Sequence, residues 1–141
     1  MAYLLDTNHC IYLMNGWNKP KNLLSPEELN IVTAYSKANK VVYISEASVG
    51  ELLYGIERSQ KKEYNRRNFE KLLLAIPPVP IDRATWEFYG QTKADLSRNG
   101  VIIPDMDLLI ASTAKRYGLI LVANDKHMSY LPDSFIRVNW A

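Results

Sequence analysis

The chain has 141 residues, 48% of them apolar and 23% charged, and 17 Lys plus Arg against 15 Asp plus Glu leave a formal net charge of +2. Length and composition of this kind fit a single globular domain over residues 1–141 and exclude disordered or disulfide-scaffolded classes. The near-neutral balance gives no bulk argument for a nucleic-acid partner, so any such surface must come from where the charges lie.

Tyr3 to Leu5 read as a short buried strand that runs into Asp6-Thr7, and Asn8 onward reads as a helix closed by Asn15-Gly16. A polar loop is expected from Gly16 to Leu24. Ser25-Pro26-Glu27-Glu28 then supplies an N-cap, a proline at N1 and a capping-box glutamate at N3, for a helix reaching about Asn39. Val41 to Ile44 form the next strand, and Ser45 caps the helix "EASVGELLYGIERS". A helical pattern over Lys61 to Ala75 is stopped by Pro77-Pro78, leaving Val79 to Ile81 as a brief strand or extended link. Asp82 caps a helix that ends at Gly100, and another begins near Asp105 to Asp107 and ends at Gly118. "LILVA", residues 119–123, is a continuous apolar strand followed by Asn124-Asp125, and Phe135 to Val138 form the last strand.

Strands alternating with helices imply a mainly parallel central sheet covered by helices on both faces. In such sheets ligands gather beyond the carboxyl ends of the strands. Two strands end there in acids, at Asp6 and at Asp125. With Glu51 and Asp107 they form a set of four, although each has a purely structural use. Asp6 can cap a helix, Asp107 sits in a first helical turn, Asp125 can close an Asx turn and Glu51 can join a capping box with Ser48. Helical spacing alone leaves Glu51 opposite Val49, Leu53 and Ile56, in water; the small residues Ala47 and Gly50 on its own face are expected to let that face approach the sheet. Clustered carboxylates repel by about 4 kcal/mol per pair at 4 Å and an effective dielectric near 20. Protonation or a hard cation must compensate, and Mg²⁺ or Mn²⁺ suits oxygen donors in a chain with one cysteine and two histidines.

The stretches "LLDTNHCIYLMNG", "ISEASVGELLYGIERS", "IPDMDLLIASTAKRYGLILVANDKHM" and "RVNW", in this order and over nearly the whole chain, resemble PIN-domain ribonucleases, in particular the VapC-like toxins of bacterial toxin–antitoxin pairs. The resemblance implies a PIN-like α/β/α sandwich and a Mg²⁺- or Mn²⁺-dependent endoribonuclease. It also implies an RNA substrate, a homodimer and inhibition by a cognate VapB-like antitoxin. Position by position, it makes Asp6, Glu51, Asp107 and Asp125 the metal-binding and catalytic acids. Asn8, Asp105 and Asn124 become pocket neighbours, with Asp105 chiefly a helix cap. Two departures stand out: Ala123 where many relatives carry a hydroxyl, and Met128 where many carry an aromatic ring.

Lys61, Lys62, Arg66 and Arg67, with Lys126 beside Asp125, are the weaker candidates for holding RNA phosphates. His9 and His127 read as packing or surface residues, and Cys10 as core. The lone cysteine, the absence of a secretory-signal pattern and the lack of a run of about 20 apolar residues point to a reducing cytoplasm and no membrane. Two rivals remain. A haloacid-dehalogenase-type phosphohydrolase needs a second aspartate two residues after its first, where Asn8 stands; a non-catalytic RNA- or protein-binding module would keep the acids for folding alone.

Overall fold

The computed structural model describes residues 1–38 and 41–141. Among the described residues five strands run in the order β1 (Tyr3–Leu5), β2 (Val42–Ser45), β3 (Pro78–Val79), β4 (Ile120–Val122) and β5 (Arg137–Val138), and between them lie six α-helices. These are α1 (Thr7–Asn18), α2 (Pro26–Lys37), α3 (Glu46–Arg58), α4 (Lys62–Ala75), α5 (Arg83–Arg98) and α6 (Asp105–Tyr117). The sheet is wholly parallel, in the spatial order β3-β2-β1-β4-β5. The chain therefore builds outward from β1 to one edge, returns to β1's other side with β4, and builds outward again. The point where the order reverses, between β1 and β4, is where loops diverge and leave a crevice.

Alternation along the short strands divides the core in two. Leu4 and Leu121 point toward α5 and α6, where Leu108, Ile110 and Leu96 meet them. Leu5, Val42, Ile44 and Val122 point the other way, onto Leu13, Ile31, Leu52 and Leu72 from α1 to α4. All three residues of β4 are buried, as a strand covered on both faces requires. This is the α/β/α sandwich expected from the sequence.

Local signals hold where they are self-contained. Ser25 and Glu28 form the reciprocal capping box of α2, with Pro26 in its first turn. Gly118 ends α6 in the left-handed conformation at φ 64°, and Gly100 at φ 69° follows α5. The expected end of α2 near Asn39 lies outside the described residues.

Two expectations are corrected. Helix α1 does not stop at Asn15-Gly16 but continues to Asn18, and a short 3-10 turn occupies Lys21–Leu23 where an open loop was expected. Gly16 is a packing residue: a Cβ built on it would lie 2.4 Å from Val32 Cγ2, so α2 crosses α1 there at a separation only glycine permits. The last strand is confined to Arg137–Val138, because Phe135 is spent on the core while its N–H closes a turn on the Pro132 carbonyl.

Candidate active site

The four acids reach the crevice by different routes. Asp6 follows β1 directly; its backbone N–H donates to the Val122 carbonyl at 3.0 Å, which fixes it beside the end of β4. It N-caps α1, with Oδ1 accepting the His9 backbone N–H at 2.8 Å. Capping engages one carboxylate oxygen and leaves the other open, so the cap does not use up the carboxylate. Asp125 is likewise held through one oxygen, which accepts the His127 backbone N–H at 2.8 Å and opens a 3-10 turn over Lys126–Tyr130. That bond comes from the backbone, so the lack of a hydroxyl at Ala123 does not leave Asp125 unsupported. Ala123 and Met128 are both buried in the core beneath it.

Glu51 is carried by α3, whose start is pinned. Ser45 caps it by accepting the Ala47 N–H at 3.1 Å, and its hydroxyl meets that of Thr113 on α6 at 2.9 Å in full burial. Thr7 Oγ1 then donates to Glu51 Oε1 at 2.5 Å and lies 3.2 Å from Ser48 Oγ. These tethers bring Glu51 in. The expected close approach of the small-residue face holds at Ala47, which is buried in the core, but not at Gly50, which has nothing within 4 Å of a built Cβ, nor at exposed Tyr54. Nor does Glu51 form a capping box with Ser48, since Ser45 is the N-cap.

Asp107, in the first turn of α6, is half-buried and meets all the others electrostatically. Burial first, then the charges of Asp125, Glu51 and Asp6, push its carboxyl from 3.8 up to about 6, while His127 pulls the other way. One donor atom from each of Asp107, Asp125 and His127 lies within 4.8 Å of the others. Donor atoms gathered this closely can share one ion. The His127 Nδ1 is buried without a hydrogen bond: it sits 2.8 Å from Asp125 Oδ1, but off the direction such a bond needs. The converging carboxylate oxygens fit a hard divalent cation, and the unused His127 imidazole nitrogen is a further donor atom beside them.

The remaining sequence-predicted residues are placed less centrally. Asn8 and Asn124 are exposed at the two loop mouths. Asp105 is not a cap, a position taken by Pro104; its carboxylate is bound by Lys93 Nζ at 2.7 Å and the Tyr89 hydroxyl at 2.8 Å on α5. Lys61, Lys62, Arg66, Arg67 and Lys126 are all exposed; Lys62 pairs with Glu57 and Arg66 with Glu70. A groove of about 270 Å³ runs from Glu51 between α1, α3 and α4, past Asn65 and Phe69.

Three residues outside the expected site touch the acids: Thr7, and His9 and His127, which read from the sequence as packing or surface residues. Each lies close in sequence to Asp6 or Asp125, but that nearness alone does not separate contact with a carboxylate from packing.

A parallel sheet with carboxylates gathered at its switch point defines a class of α/β protein suited to holding a hard cation. The chain belongs to the PIN-domain family, whose model matches residues 3–133. It is 32% identical over 141 residues to Ribonuclease VapC2 of Rickettsia felis, covering 99% of this chain and 98% of that protein. It is 33% identical over 125 residues to the tRNA(fMet)-specific endonuclease VapC of Shigella flexneri, covering 89% and 87% respectively. Among solved structures, VapBC2 from Rickettsia felis bound to a DNA fragment from its promoter is similar at TM-score 0.83 and 31% identity, over 100% of both chains. No described helix is long and apolar enough to cross a membrane.

Proposed function

We propose that residues 1–141 act as one PIN domain, a Mg²⁺- or Mn²⁺-dependent endoribonuclease that is the toxin of a VapBC-type pair, paired in the cytoplasm with a VapB-like antitoxin. The observation that carries this reading is the convergence of Asp107, Asp125 and His127 donor atoms at one crevice, with Asp6 and Glu51 near enough to help push the Asp107 carboxyl up. Such crowding costs stability unless a cation neutralises it. The names of the relatives support an RNA substrate and an antitoxin partner.

A bound divalent ion supplies Lewis acidity to the attacked phosphodiester and makes water a nucleophile near neutral pH. Asp6, Glu51, Asp107 and Asp125 provide the carboxylate oxygens that hold it, and Thr7 fixes which way Glu51 faces. With no ion bound, burial and the neighbouring acids hold the Asp107 proton more firmly than an ordinary carboxyl holds its own, so taking up a cation and losing that proton are coupled. No cysteine or serine nucleophile is needed: Ser45 and Ser48 are buried, Ser45 as a cap, and Cys10 lies in the core. Lys61, Lys62, Arg66, Arg67 and Lys126 meet RNA phosphates at the surface around the pocket. The resemblance to VapC-like toxins also implies pairing of two copies.

The test is cleavage of a mixed RNA pool by wild type with Mn²⁺, by wild type with EDTA, and by Asp6→Asn. Cleavage only in the first supports the nuclease, and intact RNA under every metal condition from folded protein removes it. A covalent phospho-enzyme points instead to dehalogenase-type chemistry. Induced expression should arrest growth unless the neighbouring small protein is co-expressed; normal growth with stable product removes the toxin role alone.

A further inference from the structure

His9 is fully buried, yet both of its ring nitrogens are engaged. Nδ1 lies 2.8 Å from Asp6 Oδ1, the oxygen that also accepts the His9 backbone N–H. On the far side of the ring, Nε2 accepts the Trp140 backbone N–H at 3.4 Å. An acceptor at Nε2 places the proton of a neutral imidazole on Nδ1, so the ring donates to Asp6.

Capping of α1 needs only the backbone N–H; the ring bond is additional. Two donors converge on one oxygen of a carboxylate that is itself only 4% exposed. Among the described residues, nothing hydrogen-bonds its Oδ2. The imidazole is held from behind by the segment after β5, where the Trp140 indole packs on the Tyr3 ring at 4.9 Å between centroids. Tyr12 meets the imidazole edge-on at 6.2 Å. A leucine would fill this apolar site without the cost of burying a polar ring, so the ring's chemistry needs a reason beyond packing.

We propose that His9 is a positioning residue: it fixes the Asp6 carboxylate through Oδ1 so that Oδ2 is presented to a divalent cation, with the C-terminal segment clamping the imidazole in place. Outer-sphere partners of this kind orient ligating carboxylates and are worth about 10- to 100-fold in metal affinity. The inference rests on the reading of the four acids as a metal site.

The test is Mn²⁺ binding to the purified full chain, titrated by electron paramagnetic resonance and independent of RNA cleavage, for wild type, His9→Leu, His9→Asn and His9→Gln. The Leu variant should bind about 10- to 100-fold more weakly. The Asn variant, whose amide nitrogen can stand where Nδ1 stands, should recover most of the loss. The Gln variant, nearer the imidazole in volume but matching Nε2 instead, should not. A folded Leu variant that binds Mn²⁺ like wild type overturns the proposal. If Leu prevents folding, the Asn and Gln variants decide, and Gln binding as well as Asn overturns it. Wild type that binds no Mn²⁺ removes the metal reading and this proposal together; wild type that binds and cleaves, beside unaffected variants, removes this proposal alone.

Discussion

Asp107→Asn should make the metal-free protein more stable while destroying its function. Burial and three neighbouring acids raise the Asp107 carboxyl from 3.8 to about 6, so the folded chain favours its protonated form. Fully expressed in stability, that rise is worth about 3 kcal/mol. Asp107 is only half-buried, and solvent screening reduces the figure to about 1–2 kcal/mol. Removing a negative charge from the first turn of α6 forfeits about 0.5 kcal/mol of macrodipole interaction. The net gain is about 1 kcal/mol, or about 3 °C in Tm for a chain of this length. The sign with pH comes from the raised value. Below 3.8 the carboxyl is protonated whether folded or not and carries no penalty; the penalty grows as pH rises through about 6 and is complete above it. Thermal unfolding in EDTA, followed by circular dichroism at about pH 4 and about pH 7.5, should therefore show the Asn variant ahead of wild type only at the higher pH. Mn²⁺ at about a hundred times its dissociation constant should then stabilise wild type by about 2.7 kcal/mol and the variant by far less. An Asn variant no more stable than wild type near neutral pH, or ahead equally at both, refutes the crowding on which the functional reading depends.

Thr7→Val removes the hydroxyl that holds Glu51 and should lower kcat about 10-fold with about 1 kcal/mol lost from stability; steady-state cleavage beside thermal melts checks it, and unchanged kcat rejects the tether. Gly16→Ala sets a methyl against Val32 Cγ2, and overpacking of about 1–3 kcal/mol should outweigh the helix-propensity gain of about 1 kcal/mol. Urea unfolding should show that loss, and Val32→Ala in the same chain should restore stability. Lys61→Ala with Arg67→Ala should raise KM for RNA and flatten its dependence on salt without altering kcat; an unchanged salt slope moves the RNA path off α4.

Features written locally were the ones legible in the sequence. The Ser25 to Glu28 capping box, the Gly118 stop and the apolar run of β4 each lie within a few residues of their partners and appear as expected. The approach of Asp6 and Asp125 was legible too, because parallel pairing of β1 and β4 sets the residues after both strands at one sheet edge. Features that depend on distant neighbours were not legible. Gly16 looks like a helix stop until Val32 is set against it. Glu51 looks solvated until Thr7, 44 residues earlier, reaches it. Asp105 resembles a cap because Lys93 and Tyr89 are hidden on another helix. His9 and His127 carry no sequence mark that separates a core imidazole from one touching a carboxylate; only burial and direction do so.

The reversal of strand order between β1 and β4 has a bearing on how a cell survives making this protein. Two of the crevice acids, Asp107 and Asp125, enter late in the chain, and β4 joins the sheet beside a strand made more than a hundred residues earlier. During synthesis, a chain made only as far as α5 holds Asp6 and Glu51 but has no opposite wall. Whatever this crevice does to a bound molecule, it starts doing only after β4 has joined the sheet, which leaves a neutralising partner a defined moment at which to arrive.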